Sequence, residues 1–173
     1  GKFYVMALGT GSSLNAVYDE LIRRYENKTL SFRNVVVFNA YEYYPLQKES
    51  SVRTINQLKE RFLNHVDIAE QNIFTLDGFV AQEAVQDCCR LYEQRIKTFG
   101  GLDVALIGIG RSGNIAANEP GSGIQSMTRL ILIGNTSREE MENSEQTKET
   151  LPPCSLTMGI APLLSAKTIY LTA

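Results

Sequence analysis

The sequence predicts an α/β fold, a three-layer α/β/α sandwich around a mostly parallel, Rossmann-like sheet. Two observations carry this prediction. Short apolar runs alternate with amphipathic helical patterns along the whole chain, the order typical of a parallel sheet with crossover helices. The runs are also apolar at successive positions, as in strands that are covered on both faces. With 173 residues, the chain suits a single domain.

Composition argues against several classes of function. Hydrophobic residues make up 43% and charged residues 21% of the chain, the balance of a soluble globular protein. The 17 Lys and Arg against 19 Asp and Glu give a net charge of -2, so neither a nucleic acid nor a membrane is an expected partner. Three cysteines and a single histidine, His65, fit neither a disulfide framework nor a histidine-rich metal site. The odd cysteine count favours the reducing cytoplasm.

The first half of the chain contains three predicted strands and two predicted helices. Apolar, β-branched runs predict the strands, and apolar residues at helical spacing predict the helices, the first with Ser13 as its N-cap. The expected order is strand 3–8, a helix after Ser13, strand 34–38, a tyrosine-rich loop 39–46, helix 52–66 and strand 73–76.

The second half follows the same reasoning. An amphipathic stretch ends at Gly100-Gly101, a typical helix stop, and the most apolar run of the chain comes directly after it. The expected order is helix 82–98, strand 102–109, loop 110–126, strand 128–133, a short helix with a surface loop over 135–150, helix 155–166 and strand 168–172.

Ligand-binding loops in such a sheet lie beyond the carboxyl ends of the strands. The best of them for an anion is Gly9-Thr10-Gly11-Ser12-Ser13. Its glycines allow a close backbone approach, its hydroxyls donate hydrogen bonds, and the helix that follows directs its N-terminal amides at the same point. No lysine follows the glycines, which favours a monophosphate over a nucleoside triphosphate. A plain turn with a helix cap is the alternative.

A second glycine-rich segment, 108–113, matches the spacing G-x-G-x-x-G after a strand. A dinucleotide site also needs a helix that begins there and an acidic residue about twenty residues further on. The segment runs instead into Asn118-Glu119-Pro120-Gly121, so a tight strand exit is the preferred interpretation.

Taken together, these segments resemble the glucosamine-6-phosphate deaminase family and the related 6-phosphogluconolactonases. The matching stretches are LGTGSS at 8–13, VFNAYEY at 37–43, HVDI at 65–68, IKTFG at 96–100, GIG at 108–110 through NEP at 118–120, and SLTMG at 155–159. The resemblance implies a hexose phosphate as a small-molecule partner, with Gly9, Thr10, Gly11, Ser12 and Ser13 around the phosphate and Arg129 assisting. It implies neither a cofactor nor a metal.

The resemblance also implies a reaction and a larger chain. Deaminases of this family open the sugar ring, move a proton between C1 and C2, and release ammonia. Their chains have a helix before the first strand and a phosphate-binding lysine after the last one. Residues 1–173 are therefore expected to be one sugar-phosphate isomerase/deaminase-like domain that is truncated at both ends. Many relatives are oligomers, so a homo-oligomer is an expected assembly.

The catalytic positions depart from the family pattern. In the strand-end motif Phe-Asn-Met-Asp-Glu-Tyr, the aspartate that acts as the base is replaced by Tyr41, while Glu42 matches. In the second motif the aspartate becomes Ser112, the histidine becomes Asn114, and the glutamate is retained as Glu119. A tyrosine is a poor base at neutral pH, because its pKa lies near 10.

Three interpretations follow from these replacements. The first is a divergent enzyme with Glu119 as its acid–base group and Tyr41, Ser112 and Asn114 as further catalytic candidates. The second is a sugar-phosphate binding or sensing domain without catalysis, which keeps the 9–13 loop, Glu42 and Arg129 as binding residues. The third is a purely structural domain whose own tyrosines fill the pocket.

Overall fold

The structure, a computed structural model, describes residues 2–47, 49–144 and 149–173. Its main sheet has five parallel strands in the order β4-β2-β1-β5-β8. These strands are β1 (Tyr4–Leu8), β2 (Val35–Asn39), β4 (Ile73–Phe74), β5 (Val104–Gly108) and β8 (Thr168–Thr172). Among the described residues, no helix is both long and apolar enough to cross a membrane.

Helices cover both faces of this sheet, which confirms the predicted three-layer fold. Successive side chains of β1 point to opposite faces, so Val5 and Ala7 belong to one buried cluster and Met6 and Leu8 to another. The first cluster is shared with α3 (Val85–Thr98) and the second with α1 (Asn15–Glu26) and α2 (Thr54–Arg61). The parallel strands therefore end at one edge, where the 9–13 and 108–113 loops meet.

A second, smaller sheet departs from the prediction. It is antiparallel, in the order β3-β7-β6, and consists of β3 (Tyr41–Tyr44), β7 (Cys154–Thr157) and β6 (Arg129–Leu132). The predicted loop 39–46 is thus largely a strand, and the predicted helix 155–166 is wrong. That segment begins as β7 and turns helical only at α5 (Ile160–Leu164), because β7 pairs on both sides with strands that are distant in sequence.

Helix boundaries show smaller differences. The chain makes a 3-10 turn at Ser12–Leu14 before α1, and Ser13 does not cap it, because its hydroxyl is hydrogen-bonded to Thr172 on β8 at 3.0 Å. The predicted helix 52–66 ends early, with α2 at Arg61 and a separate 3-10 turn at Leu63–His65. In the 135–150 segment the predicted short helix is α4 (Asn135–Ser144), while 145–148 lie outside the described residues.

Candidate functional site

A cleft lies at the carboxyl ends of β1 and β5, where the main sheet meets β3. The 9–13 turn forms one wall, and the end of β5 with its following loop forms another. The remaining lining comes from β3, α2, the 114–116 segment and α4, through Tyr41, Tyr43, Gln57, Asn114, Ala116 and Glu140. The 9–13 loop and the loop after β5 therefore both contribute to the cleft, together with β3, which replaces the predicted loop 39–46.

Backbone geometry holds the 9–13 turn against β5. The amide of Gly9 donates to the carbonyl of Leu106 at 2.9 Å, and Gly11 has a φ of +136°, a conformation that favours glycine. A Cβ on Gly108 would lie 2.9 Å from the Ser13 hydroxyl oxygen. The turn can therefore approach β5 closely only because position 108 carries no side chain.

The turn contains backbone donors that are not used by other backbone groups of the described residues. Its flanking amides are used within the protein, since Gly9 donates to Leu106 and Leu14 donates to Gly11 at 3.1 Å. Within the part of the chain that the structure describes, the amides of the four residues between them have no recorded acceptor. The α1 helix starts directly behind them, and its N-terminal end adds a partial positive charge. This arrangement suits a bound anion.

Tyr41 lines the cleft from β3. Side chains of β3 alternate, so Tyr41 and Tyr43 face the cleft, with their rings edge to face and their centroids 6.0 Å apart. The Tyr41 hydroxyl is hydrogen-bonded to the Thr10 hydroxyl at 2.8 Å. The phenol therefore links β3 directly to the anion-binding turn.

Glu42 is not among the residues that line the cleft, and its role as a substrate-binding residue stays a prediction. It is completely buried, and its Oε1 accepts the backbone amide of Thr54 at 2.8 Å and that of Tyr43 at 3.0 Å. Burial raises the pKa of Glu42, although these amides act in the opposite direction. The side chain thus anchors the first residue of α2 to β3.

Asn114 lines the cleft and is held by hydrogen bonds. Its Oδ1 accepts the Ser112 hydroxyl at 2.8 Å, and its Nδ2 donates to the carbonyl of Ala116 at 3.1 Å. Ser112 is also 2.8 Å from the hydroxyl of Ser137 on α4, and it lies behind Asn114 rather than in the lining. The network consists of neutral groups throughout.

Glu119 does not line the cleft. Its Oε1 accepts the amide of Gly134 at 2.9 Å, directly before the first residue of α4. A carboxylate at a helix N-terminus stabilises the helix through its dipole. The structure therefore supports a role for Glu119 in placing α4, and gives no contact between its carboxylate and the cleft.

Arg129 does not line the cleft that contains the 9–13 turn, so its predicted role in holding the phosphate stays a prediction. The guanidinium donates to Asn118 Oδ1 at 2.9 Å and to the Ser122 hydroxyl at 3.0 Å, and the residue lines a separate groove beside α3. Tyr41 and Arg129 both pair with Thr157 of β7, which lies between β3 and β6. The Arg129 backbone is therefore two strand spacings, about 10 Å, from that of Tyr41.

Comparison with known proteins shows the family to which the chain belongs. The sequence profile of the family described as glucosamine-6-phosphate isomerases/6-phosphogluconolactonase matches residues 1–173. The chain belongs to this family. A glucosamine-6-phosphate deaminase of Malacoplasma penetrans is 38% identical over 169 residues, which cover 96% of this chain and 69% of that protein. A glucosamine-6-phosphate deaminase-like protein of Bacteroides thetaiotaomicron is 55% identical over all 173 residues.

Solved structures of the glucosamine-6-phosphate isomerase/6-phosphogluconolactonase family share the fold. A monomeric glucosamine-6-phosphate deaminase has 32% identity and a TM-score of 0.89, over 97% of this chain and 69% of that one. The 6-phosphogluconolactonase of Thermotoga maritima has 15% identity and a TM-score of 0.69, over 99% and 69%, which supports the fold alone. The chain spans about a quarter of the Bacteroides relative and about two thirds of the others.

Two lining residues of this family member were missed at the sequence level. Gln57 reaches the cleft from α2, and Glu140 reaches it from α4. Glu140 Oε2 accepts the backbone amide of Arg111 at 2.9 Å. The pair Glu139-Glu140 is visible in the sequence, but which of the two faces the cleft depends on how α4 is oriented after β6.

Proposed function

We propose that this domain binds a hexose phosphate in the cleft without catalysing the proton transfer of a deaminase at an enzymatic rate. One observation carries the proposal. The 9–13 turn keeps its anion-binding form, whereas the three motif positions that lose an aspartate or a histidine carry Tyr41, Ser112 and Asn114. These neutral side chains are held by internal hydrogen bonds, Tyr41 to Thr10 and Asn114 to Ser112.

The phosphate end of the ligand belongs at the turn. The turn contributes four consecutive amides and the hydroxyl of Ser12, and α1 begins directly after it. A helix N-terminus contributes about 0.3–1 kcal/mol to an exposed anion and up to ~2 kcal/mol in a partly buried site. The sugar then extends over Tyr41 toward Asn114, where hydroxyl and amide groups match its polar rim.

The chemical step is what the replacements remove. A tyrosine with an ordinary pKa is only ~0.1% ionised at pH 7, and an asparagine neither accepts nor releases a proton in this range. Loss of a positioned general base typically reduces the rate by about 10²–10⁴-fold. Two such losses in one cleft favour binding over turnover.

A divergent enzyme is the second candidate, and one observation favours it. Glu140 places a carboxylate in the cleft lining, whereas Glu119, the acid–base group expected from the motif, lies against Gly134. If the protein turns over, Glu140 is the carboxylate with access to the ligand. Glu119→Gln then changes the rate only through the position of α4.

Calorimetry combined with an ammonia-release assay separates these functions. The full-length protein is titrated with glucosamine 6-phosphate, glucose 6-phosphate and unphosphorylated glucosamine, and ammonia is measured beside an authentic deaminase. We expect binding of the phosphorylated sugars, much weaker binding of glucosamine, and ammonia release at least ~10²-fold below the deaminase. Ammonia release at the deaminase rate would establish an enzyme, and no binding of any phosphorylated sugar would establish a structural domain.

A further inference from the structure

We propose that the side-chain amide of Gln57 donates a hydrogen bond to the phosphoryl group of the bound ligand. This inference rests on the proposed function, since it adds a side chain of α2 to the anion site at the 9–13 turn. Gln57 lies outside every segment that carries the family resemblance. It is a binding residue, and no step of catalysis is assigned to it.

The face of α2 that carries Gln57 runs along the 9–13 turn. Thr54, Gln57 and Arg61 are spaced i, i+3 and i+7, which puts them on one face of the helix. At one end of this face, the Thr54 hydroxyl donates to the backbone carbonyl of Tyr41 at 2.6 Å. The Tyr41 hydroxyl is itself hydrogen-bonded to the 9–13 turn.

The other end of this face is attached to α1. The guanidinium of Arg61 donates to the backbone carbonyl and to the side-chain oxygen of Asn15, both at 2.9 Å. Asn15 is the first residue of α1 and follows the 9–13 turn directly after Leu14. Gln57 lies between these two attachments, and it lines the same cleft as the turn. The amide is therefore next to the anion site.

The amide of Gln57 is not used within the described protein. The side chain is partly buried, and it forms no hydrogen bond with any residue of 2–47, 49–144 and 149–173. A side-chain amide has two N–H donors. A partly buried amide that lines a cleft without a protein partner has its donors available to a ligand.

Charge in the cleft makes such a donor valuable for an anion. Among the described residues that line the cleft, none is a lysine or an arginine, and the one charged residue is Glu140. Neutral N–H groups must therefore provide the contacts to the phosphate within this part of the chain. A hydrogen bond to a charged acceptor is about twice as strong as one between neutral groups, so one further amide changes the affinity measurably.

Two substitutions at position 57 and one beside it test the inference. Gln57→Met keeps the length of the side chain and removes both donors. Gln57→Glu keeps the shape and replaces the amide by a carboxylate, which only accepts hydrogen bonds when ionised. Asn56→Asp adds the same charge at the neighbouring exposed position and is the control. Both positions lie near the N-terminus of α2, where a carboxylate does not destabilise a helix.

Calorimetry on the full-length protein gives the Kd of glucosamine 6-phosphate for each variant, and denaturant unfolding shows that each variant is folded. We expect Gln57→Met to raise the Kd about 10-fold, the size of a lost hydrogen bond to a charged group. Gln57→Glu should raise the Kd further, because its carboxylate repels the phosphate. Asn56→Asp should keep the Kd close to that of the wild type.

The order of the two variants at position 57 distinguishes the phosphate from the sugar. A carboxylate beside sugar hydroxyls accepts their hydrogen bonds, so Gln57→Glu would then bind at least as tightly as Gln57→Met. That order, a Kd unchanged in both variants, or an equal loss in Asn56→Asp would overturn the role of Gln57 and leave the proposed function intact. Failure of the wild type to bind glucosamine 6-phosphate would overturn both.

Discussion

Tyr41 connects the strand that follows β2 to the turn that follows β1, through a single hydroxyl pair with Thr10. Its ring meets the ring of Tyr43 edge to face. In this setting the phenol has a positioning role, since it closes the floor of the cleft and orients a hydroxyl of the anion-binding turn. The motif resemblance predicts that this position corresponds to the family's base.

Removing that hydroxyl should reduce stability but leave any residual ammonia release unchanged. Tyr41→Phe breaks the bond to Thr10, and loss of one intramolecular hydrogen bond costs about 0.5–1.5 kcal/mol. Chemical denaturation measures this loss, with Tyr170→Phe on the exposed face of β8 as the control. A large fall in ammonia release without a fall in stability would show that Tyr41 moves protons after all.

The buried carboxyl of Glu42 should make the stability of the fold depend on pH. Because burial raises its folded pKa above the ordinary 4.5, the folded state holds this proton more tightly than the unfolded chain does. Its contribution is fully present below the unfolded pKa and is lost as the pH rises through the folded pKa.

The test compares the wild type with Glu42→Gln, a neutral side chain of similar shape. Between about pH 4 and pH 7, the free energy of unfolding of the wild type should fall relative to that of Glu42→Gln. Denaturant titrations at several pH values measure the difference, with exposed Glu83→Gln as the control. A constant difference across this range would contradict a raised pKa for Glu42.

At the scale of elements, the junction between β1 and α1 is the part of the site that binds the ligand's charge. Gly11 has a φ of +136° and open space around its Cα. A side chain at this position therefore strains the backbone without a steric clash. A change in ligand binding caused by such a substitution would therefore come from an altered backbone conformation of the 9–13 turn, not from altered packing.

Gly11→Ala should weaken binding of glucosamine 6-phosphate by about 10-fold, since relaxation of the strain redirects amides that each contribute about 1 kcal/mol or more. Gly100→Ala at the end of α3 is the matched control, because Gly100 also has a positive φ, +92°, and open space. Both variants lose about 1–2 kcal/mol of stability. Equal Kd values for Gly11→Ala and the control would exclude the turn from the binding site.

The strands and helices differ in how well they could be predicted from the sequence. Strands of the main sheet, such as β1 and β5, were predictable because they are apolar at every position, and α3 because its apolar stripe ends at two glycines of positive φ. β3 and β7 were not, because each is stabilised by pairing with a strand far away in the chain.

At the scale of the whole molecule, the cleft lies where the main sheet meets the smaller sheet. The turn after β1 lines it together with residues from β3, α2, β5 and α4. A ligand held there contacts elements that separate when the domain unfolds. Binding should therefore stabilise the entire fold and not only the loops that touch the ligand.

Thermal unfolding measures this linkage. At a concentration about 100 times its Kd, a ligand that binds only the folded state adds ~2.7 kcal/mol, which raises the Tm by about 5–10 °C for a domain of this size. Glucosamine 6-phosphate should show this shift, and sodium sulfate at equal ionic strength should show much less. An equal shift with both would indicate a general salt effect.

The most direct measurement of the central claim is a crystal structure of the full-length protein soaked with glucosamine 6-phosphate. We predict the phosphate within hydrogen-bond distance of the backbone amides of residues 10–13, with an unreacted sugar ring over Tyr41. A phosphate beside Arg129 and Ser122, or the reaction product in the cleft, would contradict the account.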